Sequence, residues 1–292
     1  MVAHSVNCSN LQNSAGVLNK GQEMILEQIV NSTRKSVAKR KSQTPLSEIE
    51  KASSRQPPPR DFVGALQGDN TRLIAEIKRA SPSKGLLRTN LDAASLARTY
   101  SRSGAAAISV LTESEYFLGS FADLETVRMQ VDLPLLCKDF IVDRYQIYEA
   151  RAYGADAILL IPAILTQLEL KALLETAHSL GMAALVEVHN RDELMKALRV
   201  SPRIIGINNR NLEDFSVDLE TTTKLRHLIP SGVVVVSESG IHSRDDVLTL
   251  QEAGINAILV GEALVTSADP AAKMAEFLGK VKQIKKEPKT IV

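Results

Sequence analysis

Several polar residues fall at the ends of short apolar runs, in positions where strand alternation gathers them on one face. Glu76 and Lys78 lie two and four residues beyond Ile74, and Lys138 lies two beyond Leu136. Glu187 follows Ala183 and Leu185 in the same parity; Asn208 follows Ile204 and Gly206, with Arg210 just beyond; Glu238 follows Val234 and Val236. Residues two apart in a strand share a face, so each polar group belongs with its apolar partners. Lysines set among glutamates make a general acid–base set whose proton affinities neighbours can tune. Any one of them alone would be read equally well as a strand end in solvent or a structural ion pair. As a set, facing outward would put them beneath packed helices. Facing inward, they must pair with one another or with a ligand. This chemistry calls for no metal: the five histidines are scattered without ligand spacing, and the acids come with lysines rather than in acidic clusters. His189 is read as a loop or capping residue.

A second signal is a pair of glycines. Ser237-Glu238-Ser239-Gly240-Ile241 and Val260-Gly261-Glu262-Ala263 each place a glycine where an apolar run ends. Backbone N–H groups that cradle a phosphate need such close approach. Ser81-Pro82-Ser83-Lys84-Gly85 reads as a polar loop beside Lys78, either plain surface or a cover for substrate.

These residues need elements to hold them. From Thr71 onward, apolar runs at 73–77, 106–111, 134–137, 157–161, 183–188, 204–207, 233–236 and 257–260 alternate with amphipathic segments, including 91–103, 144–153, 167–180, 191–198 and 244–253. Gly104, Gly154, Gly181 and Gly254 close four of the helices. Strands alternating with helices imply parallel strands joined by crossovers. Eight such units in about 215 residues predict an α/β fold, a single (β/α)8 TIM barrel, with the site at its C-terminal mouth. An open doubly wound sheet is the competing architecture; no G-x-G-x-x-G follows the first strand to support it. Cys137, opposite in parity to Lys138, is expected to face a helix.

The 292 residues divide into a tail (1–20), a helical extension with its linker (21–70) and the barrel (71–292). In the extension, Ile25, Leu26, Ile29 and Val30 recur at helical spacing. Thr44 is expected to cap a second helix with Pro45 at its first position. Gln56-Pro57-Pro58-Pro59-Arg60 reads as a stiff extended linker. Residues 1–60 carry nine Lys/Arg against four Asp/Glu, a local balance of +5 inside an overall +1, so the barrel half is acidic. That is no footprint for nucleic acid. The two cysteines build no disulfide framework, no apolar run reaches the length of a membrane span, and the start lacks the apolar core of a secretory signal. A cytoplasmic enzyme is expected, monomeric or a weak homo-oligomer, with organelle targeting of the tail as the lesser alternative.

The segment Glu76-Ile77-Lys78-Arg79-Ala80-Ser81-Pro82-Ser83-Lys84-Gly85 closely resembles the signature of the indole-3-glycerol-phosphate synthase family. The resemblance continues through Ser109-Val110-Leu111-Thr112-Glu113, Phe117-Leu118-Gly119-Ser120, Leu136-Cys137-Lys138-Asp139-Phe140, Leu185-Val186-Glu187-Val188-His189, Ile207-Asn208-Asn209-Arg210-Asn211-Leu212 and the two glycine segments. It covers roughly residues 22–280. It implies a ring closure in tryptophan biosynthesis. The substrate is 1-(2-carboxyphenylamino)-1-deoxyribulose 5-phosphate, the products are indole-3-glycerol phosphate, CO2 and water, and there is no cofactor. By resemblance, Lys138 protonates the ketone oxygen, Lys78 meets the substrate carboxylate and serves in the dehydration, and Glu187 is the closing base. Glu76, Asn208 and Glu238 look like orienting groups, and Arg210 adds charge near the carboxylate. Ser81, Pro82, Phe117, Phe140, Leu159 and Leu259 are the implied substrate contacts. Lys78, Ser239, Gly240, Gly261 and the amide of Glu262 are the implied phosphate contacts. Many members of the family carry a small hydroxyl residue where Glu262 stands, so its carboxylate has to point away from the anion. The resemblance also implies that the extension packs near the barrel mouth and helps to cover the substrate. Two rivals remain: a phosphoribosylanthranilate isomerase, which would need a cysteine/aspartate pair, and a non-catalytic barrel that merely binds metabolites or a partner.

Overall fold

Eight parallel strands close on themselves. They are β1 (Arg72–Ile77), β2 (Ala107–Leu111), β3 (Leu135–Lys138), β4 (Ala157–Leu160), β5 (Ala183–Val188), β6 (Ile204–Asn208), β7 (Val234–Glu238) and β8 (Ala257–Val260). Each pairs with the next, and β1 completes the ring by pairing Ile74 with both Ala107 of β2 and Leu259 of β8. The computed structural model describes residues 15–211 and 214–280; residues 1–14, most of the expected tail, and 281–292, the end of the expected barrel segment, lie outside them.

Parity sorts the side chains as a closed barrel requires. Ile74, Ala107, Leu136, Ala157, Leu185, Ile204, Val236 and Ala257 fill the interior. Their sequence neighbours Leu73, Ala75, Ile108, Cys137, Val186 and Val235 pack outward against the helices. With both faces covered, the strands are apolar almost throughout. Cys137 does face the helices, and burial there pushes its thiol pKa up.

The helices start where short polar side chains accept from their first-turn amides. Asp92, Ser120, Asp143, Thr166, Asn190, Ser243 and Asp269 all cap in this way. Asp92 explains why the first helix runs Ala93–Ser103 and begins two residues after the expected start. Gly104, with φ of 96°, ends it in the left-handed conformation and turns the chain toward β2.

Ahead of the barrel come α1 (Ala15–Gln43), α2 (Leu46–Ser54) and α3 (Phe62–Ala65). Helix α1 begins upstream of Gly21, inside the segment expected to be tail. Thr44 is not the cap of α2: Pro45 itself takes the N-cap position with extended φ/ψ of −59° and 150°, and no side chain caps the helix. The proline-rich linker is fastened along the barrel. Gln56 Nε2 donates to the Ala152 carbonyl at 2.6 Å, and the Arg60 amide donates to Asp156 Oδ1 at 2.9 Å. Helix α3, capped by Asp61, then delivers Phe62, Val63 and Leu66 into the interior cluster. With the polar strand ends gathered at the C-terminal mouth, these three side chains plug the opposite end.

Candidate active site

The polar strand ends meet around one ammonium. Lys138, last residue of β3, has its Nζ 2.5 Å from Glu238 Oε2, 3.2 Å from Glu187 Oε2 and 3.9 Å from Glu76 Oε2. Lys78 Nζ lies 2.8 Å from the other oxygen of Glu76. An unpaired ion this deeply placed would cost several kcal/mol, so each charge here is answered by an opposite one. Two glycines make the room. A Cβ at Gly206 would stand 2.3 Å from Glu238 Oε1, and one at Gly261 would stand 2.2 Å from Glu76 Oε1.

Burial opposes ionisation at every carboxylate in the cluster. At Glu76 it is outweighed by Lys78 and Lys138, which hold the pKa below the usual carboxylate range. At Glu187 it is outweighed by Lys138 and His189, and the pKa falls well below that range. At Glu238 burial, aided by the charge of Glu187, prevails over Lys138 and the pKa rises to about 8. Glu238 has the shorter contact with Lys138, yet Glu187 faces two cations. The proton that the two carboxyls share therefore belongs to Glu238, and Glu187 is the ionised member. For Lys138, burial works against the charge, but Glu238, Glu187 and Glu76 together push its pKa above that of an ordinary lysine.

His189 is a loop residue just beyond β5, as read from the sequence, and not the cap of the helix that follows. Its side chain is buried, with Nε2 3.3 Å from Glu187 Oε1 and Nδ1 2.9 Å from Glu193 Oε2. The N-cap is the next residue, Asn190.

Around the charges stand apolar walls. Phe117 and Phe140 have ring centroids 6.0 Å apart. Phe117 is carried by a loop that Glu113 staples, its carboxylate accepting from the amides of Glu115, Tyr116 and Phe117 at 2.9, 2.7 and 3.0 Å. On the far side, Ser239 and Gly240 are both left-handed, with φ of 67° and 76°. Such a backbone at a serine is uncommon and is kept where function needs it. Asn209 holds it, Nδ2 donating to Ser237 Oγ at 3.0 Å and to the Ser239 carbonyl at 3.1 Å. The Glu262 carboxylate reaches toward two cations, 3.9 Å from Lys84 Nζ and 3.9 Å from Arg210 Nη2. Asn208 Oδ1 accepts from the Arg210 amide at 3.0 Å, fixing the turn that carries the guanidinium.

One cavity, with an empty volume of about 1290 Å³ that includes its open mouth, touches every residue expected at the site: Glu76, Lys78, Ser81, Pro82, Phe117, Lys138, Phe140, Leu159, Glu187, Asn208, Arg210, Glu238, Ser239, Gly240, Leu259, Gly261 and Glu262. Sequence reasoning missed Asp139, Phe215 and His242, which also line it. Asp139 follows Lys138 directly, and no spacing signal pointed to the other two. Ile25, Leu26 and Ile29 of α1 form part of the wall. Their helical spacing was visible, but nothing local says what they cover.

The sequence profile of the indole-3-glycerol phosphate synthase family matches residues 26–277. The chain belongs to that family. An indole-3-glycerol phosphate synthase of Dehalococcoides mccartyi (strain CBDB1) is 51% identical over 259 residues, covering 87% of this chain and 100% of the relative. One of Trichodesmium erythraeum (strain IMS101) is 46% identical over 286 residues, 95% of this chain and 96% of the relative. Among solved structures, 3-hexulose-6-phosphate synthase from Salmonella typhimurium superposes with a TM-score of 0.59 at 13% identity, covering 72% of this chain and 97% of that one. Thiamine phosphate pyrophosphorylase from Pyrococcus furiosus gives 0.55 at 18% identity over 74% and 96%. These two share the barrel alone. The activity of the indole-3-glycerol phosphate synthase family is a decarboxylating lyase reaction of tryptophan biosynthesis: ring closure of the carboxyphenylamino-deoxyribulose phosphate with loss of CO2 and water.

Proposed function

We propose that the Lys138 cluster is the catalytic centre for this ring closure, with Lys138 as the first acid and Glu187 as the final base. The observation that carries the reading is one ammonium held among Glu76, Glu187 and Glu238 at the barrel mouth. The aryl carbon bearing the carboxylate attacks the ketone carbon. The ketone oxygen becomes an alkoxide in the making. The acidic groups around it, with Glu76 and Glu187 ionised, keep Lys138 charged until then, so it begins as an electrostatic partner of that oxygen and releases its proton only as strong basicity develops. Loss of CO2 restores the aromatic ring. The new hydroxyl next leaves as water, taking a proton from an acid, for which Lys78 is the candidate. Removal of a proton from the neighbouring methylene completes the indole, and the ionised Glu187 receives it.

Glu76, Asn208 and Glu238 orient these groups. Phe117, Phe140, Pro82, Leu159 and Leu259 wall the aromatic ring, with Ser81 at the edge of the loop above it. The backbone at Ser239, Gly240, Gly261 and Glu262, with Lys78, receives the phosphate, while Arg210 adds charge near the substrate carboxylate. No helix among the described residues is long and apolar enough to cross a membrane. The proposed setting is the cytoplasm, with a diffusible phosphorylated substrate, no nucleic acid and no obligate partner subunit.

The test is direct. Purified protein mixed with the carboxyphenylamino-deoxyribulose phosphate should develop indole fluorescence without added metal or nucleotide, and with chelator present. Lys138→Ala should lower turnover by at least about 10²-fold, the low end for general acid catalysis. An absent or chelator-sensitive signal overturns the reading of the site, and near-parental turnover in Lys138→Ala removes Lys138 from the mechanism.

A further inference from the structure

His189 is held more firmly than packing alone requires. Asn190 caps the helix Arg191–Leu198, its Oδ1 accepting from the Glu193 amide at 3.0 Å while its Nδ2 donates to Glu193 Oε1 at 2.7 Å. That fixes the Glu193 carboxylate. Its remaining oxygen, Oε2, accepts from both the amide and Nδ1 of His189, each at 2.9 Å. The ring is thereby locked with Nδ1 carrying a proton, because Glu193 offers only an acceptor. Nε2 stands 3.3 Å from Glu187 Oε1, an ion-pair contact without hydrogen-bond alignment, and has no hydrogen-bond partner among the described residues. Glu187 has a cation beside each oxygen, His189 at Oε1 and Lys138 at Oε2.

We propose that His189 is a positioning residue that orients the Glu187 carboxylate and keeps it anionic for the closing proton removal, with Glu193 holding the ring. The inference rests on the base role given to Glu187 above. Its logic is the order of events. Lys138 gives up its proton early, and from that moment it no longer stabilises an anion beside it. Glu187 must still be ionised when the last proton has to be taken. His189 is the second cation on that carboxylate and lies outside the proton transfers to substrate. The charged groups facing it are Glu187 from its own strand end and Glu193 from the following helix; Lys138 of β3 and Glu238 of β7 reach the cluster through Glu187. Burial lowers the imidazole pKa, but the two carboxylates raise it to about 9, so the ring is cationic at neutral pH.

The experiment measures kcat and KM from pH 5 to 9 for the parent, His189→Ala, His189→Gln, Glu187→Gln and the double variant His189→Ala/Glu187→Gln. His189→Ala should lower kcat by about 10- to 100-fold with KM changed by less than about 2-fold, as for a misplaced catalytic group. The acid limb of its kcat profile should move to higher pH. His189→Gln, whose neutral amide can donate to Glu187, should recover part of kcat but not the position of the limb. In the Glu187→Gln background the alanine change should add no further loss. A parental profile for His189→Ala, a rise in KM at constant kcat, or an independent additional loss in the double variant overturns the proposal. Should His189→Ala fail to fold by circular dichroism, the limb position in His189→Gln decides. Parental turnover in Glu187→Gln alone would instead overturn the base role of Glu187, a result read without any change at position 189.

Discussion

At Gly206 and Gly261 the barrel interior holds a carboxylate where a side chain would otherwise stand. Neither glycine has a left-handed backbone, so each is a glycine for reasons of space rather than conformation. The neighbour at Gly206 is Glu238, buried and in contact with Lys138, so it has little freedom to swing away. Gly206→Ala is expected to push the carboxylate off Lys138 and lower kcat by about 10- to 100-fold, while crowding costs about 1–3 kcal/mol of stability. Steady-state kinetics beside a denaturant titration separates the two effects. Unchanged kcat in a destabilised variant would show that the position of Glu238 does not matter to turnover.

The elements ahead of the barrel divide their labour, and truncation can separate it. Helix α1 lends Ile25, Leu26 and Ile29 to the cavity wall and is tied down by Arg40–Glu149 at 2.9 Å and Lys41–Asp143 at 2.8 Å. Helix α3 lends Phe62, Val63 and Leu66 to the interior. A chain starting at Pro45 should fold with little loss of melting temperature and show a raised KM, because it keeps the plug and loses part of the wall. A chain starting at Thr71 should lose about 5–9 kcal/mol from three buried apolar side chains, most of the margin of a typical domain. Equal melting temperatures for the two truncations would count against the plug. Much of this was legible beforehand where a period governs the chain: alternation in β1, β3, β5 and β7 places Glu76, Lys138, Glu187 and Glu238 inward once the sheet closes. Period fails beyond a strand end, which is why His189 was placed in its loop but not against Glu187. It is silent on long-range fit, so the reason for Gly206 stayed hidden, and the place of α1 at the mouth came from the family resemblance alone. Local rules erred at Thr44 because Pro45, φ −59° and ψ 150°, is itself the non-helical residue that begins α2.

For the molecule as a whole, the linked cluster sets Glu76, Glu187, Glu193 and Glu238 against Lys78, Lys138 and His189. One carboxylate is in excess, and burial resolves the imbalance by keeping a proton on Glu238. The fold carries this as a dependence on pH. A group whose pKa is raised by folding stabilises below its unfolded value, and that contribution is lost as pH rises through the folded value. For Glu238 the loss is complete near 8, and for His189 near 9. Glu76 and Glu187, with lowered values, stabilise above the ordinary carboxylate range and lose that contribution only in acid. The melting temperature should therefore decline from pH 6.5 to 9. Glu238→Gln is neutral at every pH and keeps two carboxylates near Lys138, so its decline should be shallower. At pH 9 it should exceed the parent in stability by on the order of 1–3 kcal/mol, about 3–10 °C for a chain of this size, while kcat falls because Lys138 has lost its nearest carboxylate. Calorimetric scans of both proteins across that interval check the claim. Parallel curves would mean that Glu238 is not the group that titrates, and the proton would have to be sought on Glu187.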